Sequence, residues 1–403
     1  MKKAIPADRN VCDRPEKESE IAMNARIAAI LPELVELRHA FHRTPEIAGE
    51  EFETSARIRA ELAGLPLDVR PPLLGTDVVA VLDTGRPGPN ILLRADMDAL
   101  PIAEATGLDY ASTRPGMMHA CGHDGHIAML LGAAKILCAM REGLTGTVKF
   151  VFQPGEEVRA LGKKLVEAGV LENPKADIVS AIHGWPGLPE GAVCCRPGAM
   201  MASAAHFHIA VKGRGGHGSA PAATVDPITA AAQAIMALQT IVSRNTDPRD
   251  TAVLSVCSVH AGNSSNVIPD EAKLAGTCRA LTPEVAASLE EKMRRVLSGV
   301  CAACGASYEM DYQDLYRVSM NDPEAVGQVR RAAERAGLRY CELERPDMAA
   351  EDFSYYLAQC PGALIHLGLG ETYTSLHRNT FDFNDRVLAS GVAYLASFVS
   401  CPR

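Results

Sequence analysis

The chain has 403 residues, 47% of them hydrophobic, enough for one large or two ordinary domains with cores of their own. Its 40 basic and 49 acidic residues leave a formal charge of -9, so no basic footprint marks nucleic acid or an anionic membrane as partner; small molecules or peptides are expected instead. No uninterrupted apolar run of roughly 18 residues occurs, which excludes an ordinary membrane-spanning helix.

The first stretch, "MKKAIPADRNVCDRPEKESE", has two lysines with no apolar run behind them, so it does not read as a secretory signal. Residues 1–22 are expected to form a loose tail. From Asn24 to Leu62 apolar residues recur at helical spacing, interrupted by "RTPEIAGEE", and the strands "DVVAVLD" and "NILLRADMD" follow. "HIAMLLGAAKILCAM" reads as a helix, "GTVKFVFQPGEE" as a buried strand ending in a Pro-Gly turn, and "ADIVSAIHGWP" as a strand terminating at a histidine. This alternation predicts an α/β fold with a mixed, largely parallel sheet between helices. After "PGAMMAS" the pattern becomes strand, helix, two strands, helix, strand, the βαββαβ order of a ferredoxin-like sandwich, which reads as a small domain inserted in the larger one. The expected boundaries are 23–198 and 315–403 for the larger domain and 199–314 for the insert.

Twelve cysteines are scattered in a chain too large to need a disulfide framework, so reduced thiols and a cytoplasmic location are expected. Cys194-Cys195 and the Cys301/Cys304 pair, the latter inside a helical pattern, read as structural.

The chemically loaded residues fall at element ends, where separate segments of an open α/β sheet converge. "MHACGHDGH", residues 118–126, can be read as metal ligands, as a cysteine nucleophile with a histidine base, or as a polar turn. Cys121-x-His123 puts a thiol and an imidazole within one turn at a helix start; His119, Asp124 and His126 around it suit supporting or helix-entry roles. The adjacent carboxylates of "QPGEE", Glu156 and Glu157, divide naturally beside a metal: one ligates while the other takes a proton from the attacking water. His183 and His377 complete a set of five potential ligands with Cys121, His123 and Glu157, more than one tetrahedral ion needs, which points to two metals. Asp96 and Asp98 lie on the same side of an extended segment, either as a polar strand end or as carboxylates that orient a ligand histidine. "GRGGHGS", with His217, reads by itself as a glycine turn.

Taken together, "RADMDALPI", "MHACGHDGHIAMLLGAA", "FQPGEE", "AIHGWPG", "GRGGHGSAP", "NVIPD", "GTCR", "AEDFSYY" and "LHRNTFDFND" resemble the aminoacylase/carboxypeptidase family of metal-dependent amidohydrolases. The nearest branch is that of hippurate hydrolases, auxin-conjugate amidohydrolases and N-acetyl-diaminopimelate deacetylases. The resemblance implies a two-metal catalytic domain with a ferredoxin-like lid that mediates dimerisation. It also implies cleavage of the amide bond of N-acyl-L-amino acids or short peptides. By the same resemblance Glu156 is the catalytic base, and Cys121 (as the bridge), His123, Glu157, His183 and His377 are the metal ligands. Asp98 is the supporting aspartate, while Asp96 stands where other members carry a metal histidine. In the lid, His217 matches an oxyanion-stabilising histidine that acts on the partner's site, and Asn266 and Arg279 match residues that hold substrate. The implied cofactors are two divalent ions per chain, zinc or manganese first and cobalt or nickel after them. The chain departs from the branch at Val158-Arg159-Ala160-Leu161, where glycines are usual, and at Ala222 after Pro221. A dipeptidase or carboxypeptidase using the same two-metal mechanism is the alternative.

Overall fold

The structure, a computed structural model, describes residues 13–401. In chain order its elements are α1 (Asp13–Arg43), α2 (Phe52–Leu62), β1 (Asp68–Val69), β2 (Val78–Asp83), β3 (Asn90–Asp96), α3 (His123–Ala139), β4 (Thr147–Gln153), α4 (Glu156–Arg159), α5 (Leu161–Glu167), β5 (Ile178–Pro186), β6 (Val193–Cys195), β7 (Gly198–Met201) and β8 (Ala204–Lys212). There follow β9 (Gly216–His217), α6 (Pro227–Asn245), β10 (Ala252–Ala261), β11 (Val267–Ile268), β12 (Glu271–Ala280), α7 (Pro283–Cys304), β13 (Ser307–Tyr316), β14 (Ser319–Asn321), α8 (Pro323–Arg335), β15 (Tyr340–Glu342), α9 (Ser354–Leu357), β16 (Gly362–Gly370) and α10 (Leu388–Ser400). The expected loose tail is corrected in part: residues 13–22 belong to α1, and the rest of that stretch lies outside the described residues.

The chain divides into two compact units. The first draws on residues up to 196, 321–343 and 359–403, the second on 197–320 and 344–358. Residues 197–198, 315–320 and 344–358, expected in the larger domain, thus fall with the smaller unit, the last two for local reasons. Strand β13 runs on to pair Tyr316 with Ala204. The later stretch is tied by Ala202 N–H donating to the carbonyls of Asp347 (3.1 Å) and Ala349 (2.9 Å), and by Tyr355 Oη donating to Leu315 O (3.0 Å).

The larger unit is built on an eight-stranded sheet of order β1-β2-β4-β3-β5-β16-β6-β15. Its central run, β4-β3-β5-β16, is parallel. The β1-β2-β4 flank is antiparallel, as is the β16-β6 pairing, and β15 returns parallel to β6. The central strands read as continuous apolar runs because both faces are covered; in β3 and β4 every residue after the first is buried. Helix α3 is likewise apolar nearly all round, packing against α1, α10 and β3. Strand β5 does not stop at its histidine: pairing with β16 carries it on to Pro186.

The smaller unit follows the order β8-α6-β10-β12-α7-β13, with an antiparallel sheet of order β10-β12-β8-β13. Its core is made by one face of that sheet with α6 and α7, through residues such as Phe207, Leu238, Leu274, Met293 and Leu297. Helix α6 starts sharply because Asp226 caps it, accepting from Ile228 N–H at 2.8 Å, with Pro227 behind the cap. Along β8 buried and more exposed residues alternate from Ala205 onward, and His206 and His208 fall on the exposed face. A short ribbon of β9 with β11 stands beside this sheet order. The described cysteines are free. No described helix is long and apolar enough to cross a membrane.

Candidate metal centre and active site

Strand register explains how distant residues meet. Asp96 at the end of β3 pairs with Gln153 at the end of β4. Arg94 pairs with Ala181 on β5, which brings His183 level with Asp96, and His183 pairs with His366 on β16. One row across four parallel strands therefore carries Gln153, Asp96, His183 and His366, and the turn after β4 delivers Glu156 and Glu157 just beyond it. From the other side Gly122, at φ +86°, starts α3; a side chain there would press within 2.9 Å of the Phe383 ring. That left-handed glycine lets Cys121 and His123 turn toward the row. The loop of His377 is bound to the same segment, its N–H donating to Ala120 O at 2.8 Å, with His377 held at φ +61°.

The five expected ligands converge. Cys121 Sγ lies 3.5 Å from His183 Nε2 and 3.3 Å from His377 Nε2. Glu157 Oε1 lies 3.3 Å from His377 Nε2 and 3.9 Å from His123 Nε2. Donor atoms group within 4.8 Å of one another as Cys121 with His123 and His183, as Cys121 with Glu157 and His377, and as His123 with Glu156 and Glu157. Two of the buried atoms facing this space, His123 Nε2 and Glu157 Oε1, make no hydrogen bond. The imidazoles are also turned for ligation: His123 Nδ1 donates to Asp98 O (2.8 Å) and His183 Nδ1 to Gly184 O (2.9 Å), which leaves each Nε2 lone pair pointing inward. A soft thiol, three imidazoles and a carboxylate, with orphaned atoms aimed at one another, fit divalent metal ions.

Charge makes the same point. Burial opposes protonation of His123, yet Asp96, Asp98 and Glu157 raise it to about 10. Burial and the nearby Glu157 and Glu156 push the Cys121 thiol well above its usual range. Burial and neighbouring His126 hold His183 well below the ordinary imidazole value, in its neutral, ligating form. Carboxylates thus dominate the donor cluster, which is buried except at the exposed His377, and a cation that displaces the His123 and Cys121 protons relieves them.

Of the three residues expected in supporting or helix-entry roles, His126 is closed to metal. Its Nε2 accepts from Gly184 N–H at 2.8 Å, so Nδ1 carries the proton and donates to Asp96 Oδ1 at 2.5 Å. Asp96 takes Arg94 Nη1 on its other oxygen at 2.6 Å, and its Oδ1 stands 3.7 Å from His123 Nε2. Against burial, His123, His126 and Arg94 hold the Asp96 carboxylate well below its usual range. Asp124 turns away, accepting from His42 Nδ1 (2.8 Å) and Arg38 Nη1 (3.2 Å). His119 is buried, and neither ring nitrogen makes a hydrogen bond.

Asp98 lies against His123 in two ways, its main-chain carbonyl 2.8 Å and its carboxylate Oδ1 3.4 Å from Nδ1, and its two carboxylate oxygens also accept from Glu156 N–H and Glu157 N–H, each at 3.0 Å. Behind it lies a residue the sequence did not single out: fully buried Glu51, whose Oε1 accepts from Gly155 N–H at 2.9 Å. Burial raises this carboxyl to about 7. Arg94 was missed too; its alternation with Asp96 along one strand was the available signal.

In the smaller unit His217 and Asn266 share the β9–β11 ribbon. Val267 pairs with His217, and Gly218 N–H donates to Asn266 O at 2.8 Å. His217 Nδ1 accepts from Ser219 Oγ at 2.9 Å and the ring is exposed. Arg279, half-buried near the end of β12, donates to Cys278 O at 2.9 Å and to the Thr277 hydroxyl.

The profile of peptidase family M20/M25/M40 matches residues 92–400. The chain is similar to N-acetylcysteine deacetylase of Bacillus subtilis, being 39% identical over 90% of this chain and 95% of that protein. It is similar to hippurate hydrolase of Campylobacter jejuni, 38% identical over 91% of this chain and 97% of that protein. Among solved structures it is similar to the YXEP protein of Bacillus subtilis, a dinuclear metal-binding peptidase from the M20 family, with a TM-score of 0.82 and 35% identity over 93% of this chain and 98% of that one. With the profile spanning most of the sequence and these relatives matched nearly end to end, the chain belongs to peptidase family M20/M25/M40 and is a hydrolase of amide bonds.

Proposed function

We propose that the protein hydrolyses the amide bond of N-acyl-L-amino acids, hippurate-like or N-acetylated, to a carboxylic acid and a free amino acid. The observation that carries this reading is the grouping of Glu156 with two of the five convergent donors, His123 and Glu157, within 4.8 Å. Relatives named for deacetylation of N-acetylcysteine and hydrolysis of hippurate support the substrate class. In the proposal Cys121, His123, Glu157, His183 and His377 hold two divalent ions, zinc or manganese before cobalt or nickel. Once bound, such ions supply Lewis-acid polarisation of the carbonyl and acidify water.

Glu156 takes a proton from the attacking water and passes it to the nitrogen of the breaking C–N bond. Asp98 holds Glu156 in place through its backbone N–H. Arg279 pairs with the substrate carboxylate, Asn266 helps to seat it, and His217 of a second copy stabilises the oxyanion. A cysteine-nucleophile mechanism is disfavoured, because the Cys121 thiol is pushed up rather than down.

The βαββαβ unit is read as a ferredoxin-like lid that also forms a homodimer. Its edge strand β10 runs ten residues without a charged side chain, exposing Val253 and Val259, and Met236 stands out on α6. Sedimentation at twice the chain mass checks that reading. The largely buried, unlinked cysteines suit a cytoplasmic location.

The test is a panel of benzoyl- and acetyl-amino acids beside free dipeptides, run before chelation, after it, and after metal re-addition. N-acyl amino acids are expected to be cleaved, with activity lost and regained. Dipeptides cleaved in preference would favour the peptidase alternative, and indifference to chelation would sink the proposal.

A further inference from the structure

Three consecutive backbone N–H groups, those of Gly155, Glu156 and Glu157, each meet a carboxylate. The last two are held by Asp98, and the first by Glu51, which lies 104 residues away in sequence. The same Glu51 Oε1 accepts from Gly49 N–H at 2.8 Å, and Oε2 accepts from the Thr76 hydroxyl at 3.0 Å. Glu51 is fully buried, and every described contact of its carboxylate runs to a loop rather than to a cation. Gly155 is the pivot of the turn, at φ +62°, and a side chain on it would meet Leu161 at 2.6 Å. Within the turn only the pivot's carbonyl is tied, Gly155 O accepting from Leu161 N–H at 3.1 Å; its N–H is held from outside, by Glu51.

We propose that Glu51 is a positioning residue of the hydrolytic reaction, fixing the Gly155 pivot so that the Glu156 carboxylate is aimed at the attacking water. This rests on the reading of Glu156 as the base. Glu51 touches neither the five proposed ligands nor, in this scheme, the substrate; it sets the angle at which β4 hands the glutamate pair to the site. A base misaimed by about 1 Å loses roughly two orders of magnitude in rate while substrate binding survives.

The role depends on oxygen position rather than on charge, and that separates it from an electrostatic one. Glutamine at 51 keeps an oxygen able to accept from both Gly49 and Gly155, and its amide faces Thr76, whose hydroxyl can turn from donor to acceptor. Aspartate keeps the charge but draws it back by one methylene, out of reach of Gly155.

Glu51→Gln, Glu51→Asp and Glu51→Ala are compared with Glu156→Gln on hippurate, measuring kcat, KM and metal content by elemental analysis. The expectation is that Glu51→Ala and Glu51→Asp lower kcat by about 100-fold with KM within about twofold and metal content unchanged, and that Glu51→Gln restores kcat to within about threefold. If the alanine variant does not fold, the aspartate and glutamine pair carries the comparison. Loss of activity in the glutamine variant equal to that in the aspartate variant, wild-type kcat in the aspartate variant, or a loss that tracks metal content would overturn the proposal while leaving Glu156 as base. Full turnover in Glu156→Gln would overturn both.

Discussion

The buried row of the larger unit and the exposed sheet face and ribbon of the smaller one treat their polar residues in opposite ways. In and around the row, donors and acceptors are paired within the protein: His123 to Asp98 O, His183 to Gly184 O, His126 between Gly184 and Asp96, Glu156 and Glu157 to Asp98. In the smaller unit His217 and Asn266 sit exposed on a two-stranded ribbon, and Arg279 bonds only to its own strand neighbours. The first arrangement is pre-organised and its atoms are hard to move. On the proposed reading the second works by reach. Substitutions in the two regions should therefore fail in different ways, the former in metal retention and kcat, the latter in KM.

The largest effect is expected among the donors gathered at the row. Cys121→Ala removes the sulfur lying between His183 and His377, and should lower both metal content per chain and turnover, the latter by about 10³-fold. Elemental analysis alongside the rate decides; full metal content with full activity would break the comparison on its firmer side. On the other side, Arg279→Lys keeps the charge but loses the planar fork, so KM for hippurate should rise by about 10- to 100-fold with kcat nearly kept. A fall in kcat with KM unchanged would place Arg279 with the row instead.

A smaller effect sharpens the contrast through stability rather than activity. Burial opposes the charge on His42, but its hydrogen bonds to Asp124 and Glu104 raise it to about 9 from an ordinary 6.5. A raised folded value means that stability is fully present below pH 6.5 and is lost as pH rises through about 9. His119 and His366 act in the opposite sense: burial lowers them to about 4 and about 3, so the unfolded chain takes up their protons first and stability falls as pH drops below 6.5. Thermal unfolding should be most resistant near pH 6.5, with an alkaline decline on the order of a few kcal/mol that His42→Gln flattens. A melting temperature constant from pH 6.5 to 9 would contradict the assignment.

Much of this was legible in the sequence, for a physical reason. Polar residues that close an apolar strand stand out because they have no packing purpose there; Glu156, Glu157 and His183 were legible that way, Cys121 and His123 as a thiol and imidazole at a helix start, and their roles as ligands rested on the family resemblance. Strand β5 passing beyond its histidine, and β13 running past residue 314, follow from pairing partners that local composition does not reveal. The supporting links were least visible. Glu51 reads as one more acidic residue in a loop, and its meaning depends on a contact 104 residues away; His126 owes its tautomer to a backbone N–H 58 residues on. Hydrogen bonds across such separations leave no periodic trace.

The most direct test of the central claim is Glu156→Gln, with hippurate turnover and metal content determined on the same preparation. The account predicts turnover reduced by at least about 10³-fold with metal content equal to that of the unaltered protein. Unimpaired hydrolysis in that variant would contradict it.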